Sequence, residues 1–226
     1  MHFLPSWHLE AVSSYAKDID NLILLIFVLV GFWFVLAEGV FFYFIIKFRA
    51  KDGVKAQYID GTDKNHKKWI QWPHNLILIC DLFIVAGAVW VWYSVKQAMP
   101  EPDETVRIVA QQWQWSFQHA GTDGKLDTAD DVKVSDELHV KEGLNYHFEL
   151  VSRDVLHNFS VPVFRLKQDM IPGRVIKGWF KAEKTGTWEI QCAEMCGIGH
   201  GIMGGRVVVE TKDDHAKWLA SMAGKP

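Results

Sequence analysis

The sequence predicts a two-helix transmembrane hairpin followed by an all-β sandwich or small barrel that closes with a short helix. Three features carry that prediction: two long apolar runs before residue 98, a series of short alternating runs after residue 104, and an amphipathic stretch near the C-terminus. A length of 226 residues allows one compact domain plus something smaller. The mean hydropathy of +0.00 averages these unlike parts, which the sequence divides at 1–98 and 99–226.

The first run, Asn21 to Ile46, is apolar except for Glu38. Its twenty-six residues reach roughly 39 Å at the helical rise, more than a hydrocarbon core of ~30 Å requires. It is too long for the apolar part of a signal peptide, and no small-residue cleavage site follows it. The second run, Asn75 to Val95, carries only Asp81 as a charge and also spans. Glu38 and Asp81 are ionisable groups within the spans, which points to contacts with helices of a partner subunit or to an ion pathway shared with one. Trp72, Trp90, Trp92 and Tyr93 stand where interfacial rings are stable.

Orientation follows from Lys and Arg. The connecting segment holds Lys47, Arg49, Lys51, Lys55, Lys64, Lys67 and Lys68, whereas the N-terminal flank holds only Lys17. The positive-inside rule places the connecting segment in the cytoplasm. Both termini and everything after Met99 are then expected outside, in the periplasm of a bacterial inner (plasma) membrane.

Pro100 and Pro102 with their acidic neighbours make a short stiff linker. Strands are predicted at Thr105–Ala110, Trp113–His119, Glu137–Val140, Tyr146–Val151, Arg174–Phe180, Thr187–Gln191 and Arg206–Glu210, separated by Gly, Pro, Asp and Asn. Asp213 reads as the N-cap of a terminal helix running to about Met222. From Met99 onward, acidic residues outnumber Lys and Arg by nineteen to fifteen. That balance favours a basic protein partner and argues against nucleic acid. Asp123–Asp131 gathers four aspartates. Lys125 and Val134 fall where an EF-hand needs oxygen donors, so the segment reads as a solvated turn, with docking of a basic protein as the alternative.

Three cysteines are too few for a disulfide scaffold. Cys80, inside an apolar run, reads as a small buried residue. Cys192 and Cys196 belong to QCAEMCGIGHGIM, residues 191–203, which sets two Cys, Glu194, His200 and Met203 in one Gly-rich stretch. A disulfide would leave His200 and Met203 without a role. Structural zinc has little use for thioether sulfur. A mononuclear blue-copper site would leave one thiolate spare. A pair of coppers bridged by both thiolates, with one His terminal on each and with Met203 and a main-chain carbonyl completing the spheres, uses every donor. It needs a second His, and His157 in DVLHNFSVP, on an expected loop thirty-five residues earlier, is the candidate.

Residues 192–203 resemble the CuA loop of cytochrome c oxidase subunit II, a membrane-anchored cupredoxin domain. The resemblance extends to the hairpin, to QWQWSF at Gln112–Phe117, to DVLH at Asp154–His157 and to LKQDMIPGR at Leu166–Arg174. It implies two copper ions bridged by Cys192 and Cys196, ligated by His157 and His200, with Met203 as the weak ligand and the Glu194 carbonyl on copper. It implies further that the Glu194 side chain reaches a Mg²⁺ or Mn²⁺ at the contact with subunit I, with Asp169 supporting that region. Trp113, rather than Trp115, matches the residue that accepts electrons from a c-type cytochrome, and Asp154 is implied as a docking charge.

In that family the subunit passes electrons to haem in subunit I, where O₂ is reduced to water and protons are pumped, in a respiratory complex with subunits I and III. The intact ligand set separates the chain from the quinol-oxidase type, which has lost its copper. The hairpin separates it from nitrous oxide reductase, and the donor set separates it from a copper chaperone. No Cys-x-x-Cys-His follows the barrel, so the expected donor is a separate protein, either a soluble cytochrome or a haem domain of a neighbouring complex. The chain departs from the family pattern at His66 in NHKKW, where many members carry a Glu near a proton-uptake channel, and between Trp115 and Tyr146, where the segment is short.

Overall fold

The computed structural model describes residues 9–56 and 58–222. The chain ends, expected outside the membrane, fall at 1–8 and 223–226, outside the described residues. Two compact units result: Asp18–Ser94 forms one, and the residues up to Lys17 join those from Val95 onward in the other.

The helical unit contains α1 (Ala16–Lys47) and α2 (Lys64–Trp92), the latter followed by a π-helical turn at Tyr93–Gln97. Ala16–Lys47 and the continuous helical stretch Lys64–Gln97 are both long and apolar enough to cross a membrane. Each begins earlier than the apolar runs predicted, because polar first turns precede the apolar stretches. Asp63 caps α2, its Oδ1 accepting from Asn65 N at 2.8 Å. His66 therefore lies inside the first turn of α2. Cys80 is half-buried, and its sulfur accepts from Trp33 Nε1 at 3.4 Å.

Among the described residues the second unit is a β-sandwich of ten strands. In chain order these are β1 (Glu104–Gln111), β2 (Gln114–His119), β3 (Val132–Ser135), β4 (Glu137–Lys141), β5 (Asn145–Ser152), β6 (His157–Val161), β7 (Leu166–Met170), β8 (Ile176–Lys181), β9 (Gly186–Cys192) and β10 (Gly204–Glu210). They make two five-stranded sheets, ordered β3-β2-β1-β5-β8 and β4-β10-β9-β6-β7. The β1/β5 and β4/β10 pairs are parallel and the others antiparallel. Alternation along β1 buries Val106, Ile108 and Ala110, and along β5 it buries Tyr146, Phe148 and Leu150. Between the sheets Phe159 meets Trp115, Phe117 and Phe148 in edge-on or tilted ring contacts.

Three strands lie outside the predicted set. β6 is buried at all five positions and so has no alternation to read, β7 carries three polar residues in a row, and β3 is only four residues long. The stretch before α1 is also part of the sandwich. Val12, Tyr15 and Ala16 are buried, Val12 N donates to Val163 O at 3.0 Å, and Glu183 N donates to Val12 O at 2.8 Å. The Asp123–Asp131 turn is pinned to the sheet, since Arg107 donates to both oxygens of Asp127 at 2.6 and 3.0 Å.

The final helix, α3 (Lys212–Met222), is capped by Thr211 rather than Asp213. Thr211 Oγ1 accepts from Asp214 N at 3.2 Å and donates to Asp214 Oδ2 at 2.8 Å. That hydroxyl–carboxylate exchange starts the helix two residues early and leaves Asp213 in its first turn. Trp218 of α3 stacks on His139 at 4.1 Å and meets His119 and His215, each at 5.0 Å. All three histidines are buried, and Glu210 lies 3.2 Å from His139 Nδ1 and 3.1 Å from His215 Nδ1.

Burial, reinforced by His215 and His139, pushes the His119 imidazole down to about 3. An unfolded imidazole takes up its proton below ~6.5, while the folded one stays neutral, so stability present above that pH drains away as pH falls toward about 3. Replacing His119 with Gln is expected to flatten this acid sensitivity, measured as the loss of unfolding midpoint between neutral pH and pH ~4.

Candidate metal centre

β6 and β9 pair through Phe159↔Cys192 and Ser160↔Gln191. That pairing brings the first residue of β6, His157, to the end of β9. His157 thus begins a strand rather than sitting on the expected loop, and it is fully buried. His157 Nδ1 lies 3.8 Å from Cys192 Sγ, Cys192 Sγ 3.7 Å from Cys196 Sγ, and Cys196 Sγ 3.7 Å from His200 Nδ1. Met203 Sδ is 3.8 Å from Cys196 Sγ, and the Glu194 carbonyl is 3.3 Å from Cys192 Sγ. The ligand atoms of His157, Cys192 and Cys196 all lie within 4.8 Å of one another.

Both cysteines are free thiols, far beyond the ~2.05 Å of a disulfide. Cys192 and Cys196 would both hold a metal ion bound here. Each sulfur also has its own imidazole nitrogen, and a thioether and a carbonyl complete the ring of donors. This sulfur- and imidazole-rich set fits copper better than a hard cation.

The loop is short of side chains because neighbours need the room. A Cβ at Gly199 would lie 2.4 Å from Trp113 Cδ2, and Gly197 has φ +118, with its Cβ position 2.9 Å from Gln112 Nε2. The Trp113 indole therefore lies over Gly199, and it is 38% exposed, whereas Trp115 is fully buried. Trp113 Nε1 donates to Cys196 O at 3.3 Å, and Gln112 Nε2 donates to the same oxygen at 2.8 Å. Trp115 instead faces His157 edge-on from within the core, with ring centroids 6.5 Å apart.

Asp154 is bound into the site. Its Oδ1 lies 2.8 Å from His157 Nε2 and accepts from Val155 N at 2.7 Å, while Oδ2 accepts from Gln112 N at 2.6 Å. Burial works against its ionised form, but the bonds from Gln112, His157 and Val155 outweigh burial and hold the carboxyl below its ordinary range. The carboxylate makes Nε2 the protonated nitrogen of His157 and leaves Nδ1 free to ligate. Asp169 on β7 accepts from Asn158 Nδ2 at 2.6 Å, and Asn158 O accepts from Ala193 N at 3.1 Å. Asp169 therefore braces the residue beside Glu194. Gln112 and Asn158 escaped sequence reasoning, and their signal was adjacency to Trp113 and His157.

Burial, with Cys192 adding to it, pushes the Cys196 thiol up to about 11. Metal loading must expel that proton, so loading at fixed free copper is expected to rise with pH by up to ~tenfold per unit for this group. Asp154→Ala is expected to weaken copper binding about 10–100-fold, read by competition with a chelator.

Sequence comparison with known proteins points one way. Residues 104–211 match the family model described as cytochrome c oxidase subunit II, periplasmic domain. An alternative cytochrome c oxidase subunit 2 from Bradyrhizobium diazoefficiens is 32% identical over 240 residues, covering 96% of this chain and 85% of that protein. A probable cytochrome c oxidase subunit 2 from Rickettsia bellii is 30% identical over 199 residues, covering 81% of this chain and 71% of its own length. Among solved structures, the periplasmic domain of subunit II of cytochrome oxidase (CoxB) of Bradyrhizobium japonicum aligns with a TM-score of 0.49 at 27% identity, over 55% of this chain and 96% of that one.

Proposed function

The chain belongs to the cytochrome c oxidase subunit II family, and from that premise we propose that it is the subunit through which a haem–copper oxidase takes up electrons. In this reading the donor is a c-type cytochrome or a haem domain of a neighbouring complex. The acceptor is a binuclear copper centre, and the electron goes on to haem in subunit I for O₂ reduction coupled to proton pumping. Subunits I and III are its membrane partners. The copper domain and both termini lie in the periplasm, and the hairpin is a two-pass anchor in the bacterial inner membrane.

The observation that carries this reading is the pair of unbonded sulfurs 3.7 Å apart, each with a separate imidazole Nδ1 at 3.7–3.8 Å. Cys192 and Cys196 would bridge two coppers, with His157 and His200 terminal, and with Met203 and the Glu194 carbonyl completing the spheres. Bound copper supplies a one-electron couple shared over both ions.

The protein's part is to hold donors still. His157 is clamped by Asp154, Cys192 is tied by its backbone N to Met203 O at 3.1 Å, and the Cys196 carbonyl takes bonds from Gln112 and Trp113. Donors that do not move between redox states keep the reorganisation accompanying each transfer small. Trp113 is the proposed electron acceptor from the cytochrome, its exposed ring joined by one hydrogen bond to the main chain of Cys196. The Glu194 side chain, half-buried beside Ala193, is proposed to reach a Mg²⁺ or Mn²⁺ at the contact with subunit I, with Asp169 steadying that stretch.

The copper-loaded oxidase complex is expected to show an electron paramagnetic resonance signal split by two equivalent copper nuclei. A signal split by one nucleus, or no copper uptake by this chain, would sink the binuclear assignment. Trp113→Ala is expected to keep the two-nucleus splitting of that signal while lowering kcat/KM for a cytochrome donor by roughly tenfold or more in steady-state oxidation. Trp115→Ala, which removes a core contact of His157, is expected to alter the signal itself.

A further inference from the structure

The two membrane helices do not pack evenly along their length. They are close where Gly87 faces Leu22, since a Cβ there would sit 3.2 Å from Leu22 Cδ1, and again where Trp33 Nε1 donates to Cys80 Sγ. Between Trp33 and the connecting segment they part, leaving a groove of about 990 Å³. Its walls are apolar, formed by Leu36, Val40 and Phe44 of α1 and by Trp69, Trp72 and Leu76 of α2. Among the described residues the lining turns polar at Asn65 and Lys68, which lie together at one end, Lys68 Nζ 3.4 Å from Asn65 Oδ1. Lys64 and Lys67 lie in the first turn of α2 and Lys47 ends α1, so with Lys68 the lysines at that end outnumber the N-cap carboxylate of Asp63. Among the described residues, no Asp or Glu lines the groove.

We propose that this groove is a binding site for one anionic phospholipid, with its acyl chains lying between α1 and α2 and its phosphate at Lys68. The occupant must be long and apolar with a negative charge at one end only. A helix from a neighbouring subunit would fill the apolar part but would have to carry a carboxylate at the level of Lys68. A zwitterionic lipid would set its own cation against the lysines. Basic pockets between membrane helices at the lysine-rich membrane face are the recognised physical setting for anionic headgroups, with each nearby Lys or Arg contributing about a fivefold preference. The aromatic walls give the chains a stiff surface. The site is separate from the copper centre, and its test does not depend on copper chemistry.

The purified oxidase complex containing the full chain would be exposed in detergent to a phosphatidylglycerol carrying a photoreactive group in one acyl chain, and the labelled peptides mapped. Label is expected on residues 33–44 and 69–77, with a matching phosphatidylcholine probe labelling about fivefold less. Lys68→Gln, an exposed change that the fold tolerates, is expected to reduce phosphatidylglycerol labelling about fivefold. Val40→Trp, which fills the groove, is expected to abolish it. A large excess of glycerophosphoglycerol, the headgroup without acyl chains, is expected not to compete. Equal labelling by both lipids, labelling unaffected by Lys68→Gln, label confined to other segments, or full competition by the free headgroup would each overturn the proposal.

Discussion

The metal centre depends on a short pairing of two strands. β6 and β9 meet over only Phe159↔Cys192 and Ser160↔Gln191, and that contact is what sets His157 beside Cys192 across thirty-five residues of chain. Everything else about the site follows the same loop: Glu194, Cys196, His200 and Met203 are carried by the stretch that leaves β9 and returns as β10. Burial of the whole of β6 means that His157 cannot swing away without opening the core behind Phe159, where Trp115, Phe117 and Phe148 converge. The scaffold that is hydrophobic for the sake of folding is thereby also the device that keeps a ligand in place.

Polar contacts add direction to that rigidity. Asp154 faces His157 with one oxygen and the Gln112 amide with the other, so the ligand and the turn bearing Trp113 hang from the same carboxylate. A residue expected to face a partner protein thus spends its acceptors inward. On the far side of β6, Asp169 and Asn158 hold the start of the loop at Ala193. The two carboxylates hold consecutive residues, His157 and Asn158.

Much of this was legible in the sequence, for identifiable reasons. The apolar spans, the alternating strands β1 and β5 and the donor spacing from Cys192 to Met203 each reflect a local period or motif. What stayed hidden was non-local. β6 shows no alternation because both of its faces are covered, and the Val12–Ala16 segment packs onto strands that lie more than 140 residues away along the chain. The cap of α3 was misplaced by two residues because Thr211, Asp213 and Asp214 all qualify chemically, and only the observed hydroxyl–carboxylate exchange decides among them. The cluster of His119, His139 and His215 around Trp218 draws on two strands and a helix, so no window of sequence contains it.

The close approach of Trp113 to Gly199 means that the metal loop and the turn at Gln112–Trp113 are one unit distributed over two parts of the chain. Grafting residues 192–203 alone onto another β-sandwich would transplant the donors but leave the Cys196 carbonyl without its two hydrogen-bond donors and Gly197 and Gly199 with no neighbour to make room for. The same dependence constrains divergence within the chain. A side chain gained at position 199 must be matched by a smaller or displaced ring at position 113, so the two sites are expected to drift together or not at all.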